Sequence, residues 1–317
     1  MYDLVIVGGG PAGAAAAVYA ARKQLKTVIV VEEWGGQSTV STDVQNWIGT
    51  PSITGADLAD NLKKHVMANA GAYLEVKSPA RAESLEAKDD SVAVVLSSGG
   101  GSASGGKDGT RLEAKALLIT SGARRRKLEI PGAALYDQKG LTYCASCDGP
   151  LFADKDVAVV GGGNAGFESA LQLLAYCKSV TLLNRSDVLK ADEISVAAAE
   201  KNPKMRIIKN AVPTAVEGDK FVTGLKWKDL KTRKEETLPV EGIFVEIGLL
   251  PNTEWIRNTL ELNAVKQIKT DPKTQRTSHP RVWAAGDVTD GAYHQNNIAA
   301  GDAVKALEDI YMTLRRS

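Results

Sequence analysis

The residues best suited to chemistry form one short stretch, Cys144-Ala145-Ser146-Cys147-Asp148. Two thiols separated by two residues can close a small disulfide and exchange electrons with a second disulfide through a mixed intermediate. Metal binding is the competing chemistry. Structural zinc takes four ligands, usually from two such pairs, and the chain has three cysteines in all. The third, Cys177, stands alone beside an apolar helical pattern and reads as buried packing. The three histidines, His65, His279 and His294, have no ligand spacing. Redox chemistry is therefore expected at the pair, with no metal. Asp148 directly follows the second thiol. A carboxyl there could protonate a leaving thiolate if burial raised its pKa; the alternative is an ordinary turn aspartate.

Two glycine-rich turns could hold phosphate. Gly8, Gly10 and Gly13 enclose Pro11 and Ala12 in the spacing of a dinucleotide cradle. The first glycine permits a tight turn, the second lets the backbone approach a pyrophosphate, and the third lets helix and strand pack closely. Glu32 or Glu33 follows about 20 residues on, where a carboxylate can bind ribose hydroxyls. Gly161, Gly163 and Gly166, enclosing Asn164 and Ala165, repeat the device. There the position of the acid falls at Asn184. An acid would favour NAD by repelling a 2′-phosphate; instead Arg185 follows and could pair with that phosphate, with Lys190 assisting. The pattern points to NADPH. A solvent-facing Arg185 is the alternative, and it leaves NADH open.

These turns need strands before them and helices after them. Leu4–Val7 is apolar enough for a strand, 14–23 is an alanine-rich helix, and Thr27–Val31 is a β-branched strand. Downstream, 157–160, 167–176 and 180–183 repeat strand, helix and strand. The expected fold is α/β, with two doubly wound, Rossmann-like nucleotide-binding domains. Segments 114–122 and 240–248 each read as a strand ending in glycine and are candidate hinges. The second domain is expected to be inserted into the first: 1–122 and 249–317 make one domain, 123–248 the other. The glycine- and serine-rich stretch 97–109 reads as a flexible hairpin loop.

The 317 residues suit two domains, and 44% hydrophobic with 24% charged residues is a soluble balance. A formal net charge of +1 gives no bias toward nucleic acid or membrane. Leu4–Ala21 carries no charge, but Gly8-Gly9-Gly10-Pro11 breaks any helix across it, so neither a signal peptide nor a membrane span is expected. So few cysteines point to a reducing compartment and a cytoplasmic location. The basic run Arg124-Arg125-Arg126-Lys127 reads as a solvated loop, with a docking patch for an acidic partner or a phosphate as the alternative.

Several blocks, in this order and spacing, carry a family resemblance: GGGPAGAAAAVYAARK (8–23), GGQ (35–37), YCASCDGPLF (143–152), VAVVGGGNAGFESA (157–170), GIFVEIGLLPNT (242–253) and WAAGDV (283–288). Over essentially the whole chain the sequence resembles low-molecular-weight thioredoxin reductases. It is most similar to the reductase portion of the alkyl hydroperoxide reductase flavoprotein. The resemblance implies FAD at Gly8–Gly13, Glu32, Gly36, Gln37, Asn46, Gly122, Gly286, Asp287 and Gln295. It implies NAD(P)H at Gly163–Ala165 and Glu168, and a homodimer. It further implies that Cys147 lies nearest the flavin, that Asp148 donates the proton, and that Cys144 attacks a disulfide of thioredoxin or a thioredoxin- or glutaredoxin-like protein. Rotation of the inserted domain near Gly122 and Gly248 would bring nicotinamide and dithiol to the flavin in turn.

Three departures bear on those expectations. Asn184-Arg185-Ser186 matches neither the His-Arg-Arg run of the NADPH users nor the acid of the NADH users. Gly149-Pro150-Leu151-Phe152 is closer to the peroxide-reductase version and leaves a partner other than ordinary thioredoxin open. The extra N-terminal thioredoxin-like domain of those relatives is not expected here, and such a module is expected from a separate protein. Alternative readings are a reductase fed by ferredoxin or another donor, a dithiol oxidase using oxygen, and a non-catalytic redox sensor.

Overall fold

The computed structural model describes residues 1–41, 43–97, 109–256 and 258–316. Of the 97–109 stretch, 98–108 lie outside the described residues. Two sheets, each with its own core, organise the rest. The first has seven strands among the described residues. Its order is Leu74–Lys77, Thr27–Trp34, Tyr2–Gly9, Arg111–Ile119, Val92–Leu96, Ala82–Ala87, with Val282–Ala284 also paired to Arg111–Ile119. The strands nearest the glycine turn run parallel. Leu4, Val5 and Ile6 are fully buried, as are Val28 and Ile29, because helices and loops cover both faces of a parallel sheet.

The helix Pro11–Arg22 starts with proline at its first turn, where the missing N–H costs nothing. Its alanines allow close packing on the long helix Asn296–Arg316. Ala12, Ala16 and Ala20 share one core with Ala299, Ala303, Leu307 and Ile310. Both helices thereby hold the first glycine turn against the sheet.

The second sheet is fully parallel, in the order Met205–Lys209, Ser179–Asn184, Asp156–Val160, Gly242–Val245, Leu141–Thr142. The helix Asn164–Leu173 follows its glycine turn and buries Phe167, Ala170 and Leu173. An antiparallel three-stranded sheet, Ala211–Gly218, Val222–Asp229 and Glu235–Pro239, packs on the other side through Trp227 and Leu225. Sequence reading did not anticipate this sheet.

Between the two sheets the chain passes twice. The strand Ala123–Arg125 pairs antiparallel with Leu249–Pro251. Ser121 Oγ donates to the Asn252 carbonyl at 2.9 Å, and Asn252 Nδ2 donates back to the Ser121 carbonyl at 2.8 Å. Three residues of the basic run are held here by internal ion pairs: Arg124 to Glu254, Arg125 to Glu246 and Lys127 to Asp137. Arg124 thereby links the two sides of the crossing, while Arg124, Arg126 and Lys127 stay exposed. No described helix is long and apolar enough to cross a membrane.

Candidate active site

The first glycine turn is shaped by contacts that exclude side chains. Gly8 has φ +125°, and a Cβ there would lie 2.1 Å from the Thr120 carbonyl oxygen. A Cβ on Gly13 would lie 1.8 Å from the Gly8 carbonyl oxygen, so helix and strand touch at that point. Gly10 differs: its nearest neighbour is Gly36 Cα at 3.9 Å, leaving open space before the helix N-terminus. This is the cradle that a pyrophosphate fits. Two other predicted residues lie against the turn and its helix. Gly36 faces Gly10, and Gly286 packs beside Ala12 and Ala299. Asn46 Nδ2 donates to Gln295 Oε1 at 3.2 Å, and Gln37 Nε2 donates to the Ala123 carbonyl. Asp287 faces His294 Nδ1 at 3.5 Å. Glu32 is exposed at the end of its strand and pairs with Arg81 at 3.3 Å. Gly122 lies apart, at the chain crossing, where its carbonyl accepts from Asn252 N at 3.0 Å.

The second turn repeats the geometry. Gly161 has φ +130°, and a Cβ there would meet the Glu246 carbonyl oxygen at 2.2 Å. A Cβ on Gly166 would meet the Gly161 carbonyl oxygen at 1.9 Å, while Gly163 has nothing within 4 Å. Asn164, Ala165 and Glu168 lie on the first turns of the helix, and all three are exposed. Asn164 Oδ1 accepts from Asp192 N at 2.9 Å. Asn184 is buried. Its Nδ2 donates to the carbonyls of Ser186 (2.8 Å) and Val188 (3.0 Å), so the side chain holds its own turn together. Arg185 and Lys190 are exposed and have no ion pair among the described residues.

Cys144 and Cys147 form a disulfide with Cα atoms 5.3 Å apart. Cys144 caps the short helix Ala145–Asp148, its Sγ accepting from Cys147 N at 3.2 Å. Asp148 is buried. Thr142 Oγ1 donates to Asp148 Oδ2, and Oδ1 has no hydrogen-bond partner among the described residues. Burial pushes this carboxyl above the usual carboxylate range. The Thr142 bond and the Arg125 charge oppose the shift, and Asp43, on the loop carrying Asn46, adds to it. Cys177 is fully buried, and burial pushes its thiol up to about 11, consistent with packing.

Sequence reading missed Glu246. Its side chain is 12% exposed and follows the strand Gly242–Val245 beside Gly161. Ser169 Oγ donates to Glu246 Oε1 at 2.7 Å, and Arg125 Nη1 lies 4.0 Å from Oε2. Burial pushes its carboxyl up as well. The available signal was a lone carboxylate directly after an apolar run.

Two cradles, each at the end of parallel strands, with a disulfide beside a buried acid, define an α/β oxidoreductase organised around a dithiol. Comparison with known proteins agrees. The chain belongs to the pyridine nucleotide-disulphide oxidoreductase family, whose sequence profile matches residues 2–303. It is similar, at 39% identity over 305 residues, to the Bacillus subtilis protein named NADH dehydrogenase and to a component of the Staphylococcus epidermidis alkyl hydroperoxide reductase. Each match covers 96% of this chain and 57% of the relative, so the chain spans little over half the length of these curated relatives. Thioredoxin reductase from Streptococcus pyogenes superposes with a TM-score of 0.86 at 31% identity, over 100% of this chain and 99% of that one. Lactococcus lactis thioredoxin reductase in its FR conformation gives 0.67, also at 31% identity, over 100% of both chains.

Proposed function

We propose that the chain is an FAD-dependent disulfide reductase. It passes an electron pair from a nicotinamide dinucleotide to the Cys144–Cys147 disulfide and on to a disulfide of a thioredoxin- or glutaredoxin-like protein. The observation that carries this reading is the disulfide beside a buried carboxyl of raised proton affinity. FAD would be held by Gly8–Gly13, Glu32, Gly36, Gln37, Asn46, Gly122, Gly286, Asp287 and Gln295, and the nicotinamide dinucleotide by Gly161, Gly163–Ala165, Glu168, Asn184, Arg185 and Lys190. The openings at Gly10 and Gly163 suit their pyrophosphates. When bound, the two groups supply a hydride and relay its electron pair.

Reduction breaks the Cys144–Cys147 bond and leaves two sulfur anions needing two protons in all. Asp148 holds one proton next to the leaving thiolate and delivers it. Cys144 returns that proton to Asp148 as its sulfur attacks the partner's disulfide, forming a mixed disulfide, and Asp148 passes the proton to the partner thiolate released. Cys147 attacks that mixed disulfide, recloses the Cys144–Cys147 bond and releases the partner's second thiolate, which water protonates.

The halves 1–122 with 249–317 and 123–248 move as separate bodies in this reading. Gly122 (φ +63°) and Gly248 (φ +102°) flank the crossing, with nothing within 4 Å of an added Cβ. Two relatives of equal identity superpose at 0.86 and 0.67, which supports different arrangements of similar halves. NADPH is the proposed donor, because Arg185 is exposed and unpaired among the described residues and no carboxylate stands at Asn184. A homodimer is part of the same proposal. The test is anaerobic stopped-flow absorbance of the FAD-loaded protein with NADPH and NADH separately. Fast bleaching with NADPH supports the reading, faster bleaching with NADH reverses the donor, and no bleaching with either removes the nicotinamide step.

A further inference from the structure

Doubly wound sheets bind dinucleotides in the crevice where the strand order reverses, outside the carboxyl ends of the strands. In the second sheet the chain runs from Asp156–Val160 outward to Ser179–Asn184 and Met205–Lys209, then returns on the opposite side at Gly242–Val245. The crevice therefore opens between Gly161 and Glu246, the first residues beyond the two central strands. Asn184 ends the strand on the adenosine side, and Arg185 follows it. A dinucleotide crossing Gly163 has its other half on the side of Glu246.

Glu246 is built into that wall. Ser169 Oγ holds Oε1 at 2.7 Å, while Oε2 faces Arg125 at 4.0 Å, too far for a direct hydrogen bond. Oε2 thus keeps acceptor capacity on a side chain fixed by its neighbour. We propose that Glu246 binds the nicotinamide–ribose half of the dinucleotide, accepting an N–H or O–H from it and favouring the positively charged oxidised ring. Arg125 limits the cost of burying the carboxylate and opposes the upward push of burial on its pKa. Arg125 lies on the Ala123–Arg125 strand, so the same contact ties the nucleotide site to the chain crossing. This inference rests on the second cradle binding a nicotinamide dinucleotide.

The test is calorimetric binding at pH 8 to FAD-loaded wild type and Glu246→Gln, which preserves the acceptor for Ser169. The probes are NADP⁺ and NAD⁺, and their fragments lacking nicotinamide, 2′-phospho-ADP-ribose and ADP-ribose. The expected result is about tenfold weaker binding of the preferred oxidised dinucleotide, with its fragment unchanged. Glu246→Asp, which keeps the charge, should recover part of the loss. Equal loss on dinucleotide and fragment, or loss on neither, overturns the assignment. A wild type that binds the fragments but neither dinucleotide overturns the nicotinamide reading beneath it.

Discussion

Thr142 donates its hydroxyl to Asp148 Oδ2, the one side-chain hydrogen bond this buried carboxyl receives among the described residues, while Oδ1 is unpartnered there. The arrangement disfavours the ionised form, because a carboxylate wants several donors and one is supplied. Asp148→Asn should slow dithiol formation while leaving flavin reduction unchanged in rapid mixing. Equal slowing of both steps would remove the acid role.

The same group makes a stability prediction. Its folded pKa is raised above its unfolded value, so it favours the folded state fully below the unfolded pKa. That contribution is lost as pH rises through the folded value. Asp148→Asn lacks this loss. The melting temperature of the variant should therefore gain on wild type as pH rises above the unfolded carboxylate range of about 4, and a constant difference would mean that Asp148 does not titrate abnormally.

Cys144→Ser and Cys147→Ser should each abolish disulfide reduction while FAD stays bound, measured by turnover and by flavin absorbance. Cys177 should behave oppositely. With its thiol pushed up to about 11 and fully buried, it should resist alkylation at pH 8 in the reduced native protein and react once the chain is unfolded. Turnover by either serine variant would contradict the dithiol assignment.

Within one turn, two glycines should fail in different ways. Gly166→Ala puts a methyl group 1.9 Å from the Gly161 carbonyl oxygen and should cost about 1–3 kcal/mol of stability in thermal or denaturant unfolding. Gly163→Ala meets nothing within 4 Å, so it should fold normally and lose nucleotide affinity. Reversal of these outcomes would misplace the cradle.

Arg185→Ala should raise KM for NADPH about two- to tenfold, the range for an exposed charge-assisted contact, and leave KM for NADH unchanged. An equal change for both would place Arg185 in solvent.

Much of this was legible in the sequence because local rules and tertiary packing agree. The GGGPAG and GGGNAG turns dictate strand before and helix after, and the helices begin at Pro11 and Asn164. The strands run one to three residues beyond the expected ends, since pairing with neighbours extends them to Gly9, Trp34 and Asn184. The 167–176 helix expectation is displaced, because the helix stops at Leu173 and Cys177 packs in the turn after it. The Cys-x-x-Cys was readable from spacing alone. Burial of Asp148 was not, since it depends on Thr142 and on the fold around it. The Arg125–Glu246 contact joins residues 121 positions apart, and no local pattern encodes such a meeting.

The most direct test of the central claim follows the electrons to the sulfurs. FAD-loaded protein is mixed anaerobically with NADPH or NADH, quenched with an alkylating agent, and analysed by mass spectrometry at Cys144 and Cys147. The account predicts alkylation of both residues after nucleotide addition, with neither alkylated in its absence. A flavin that bleaches while the Cys144–Cys147 disulfide stays closed would contradict it.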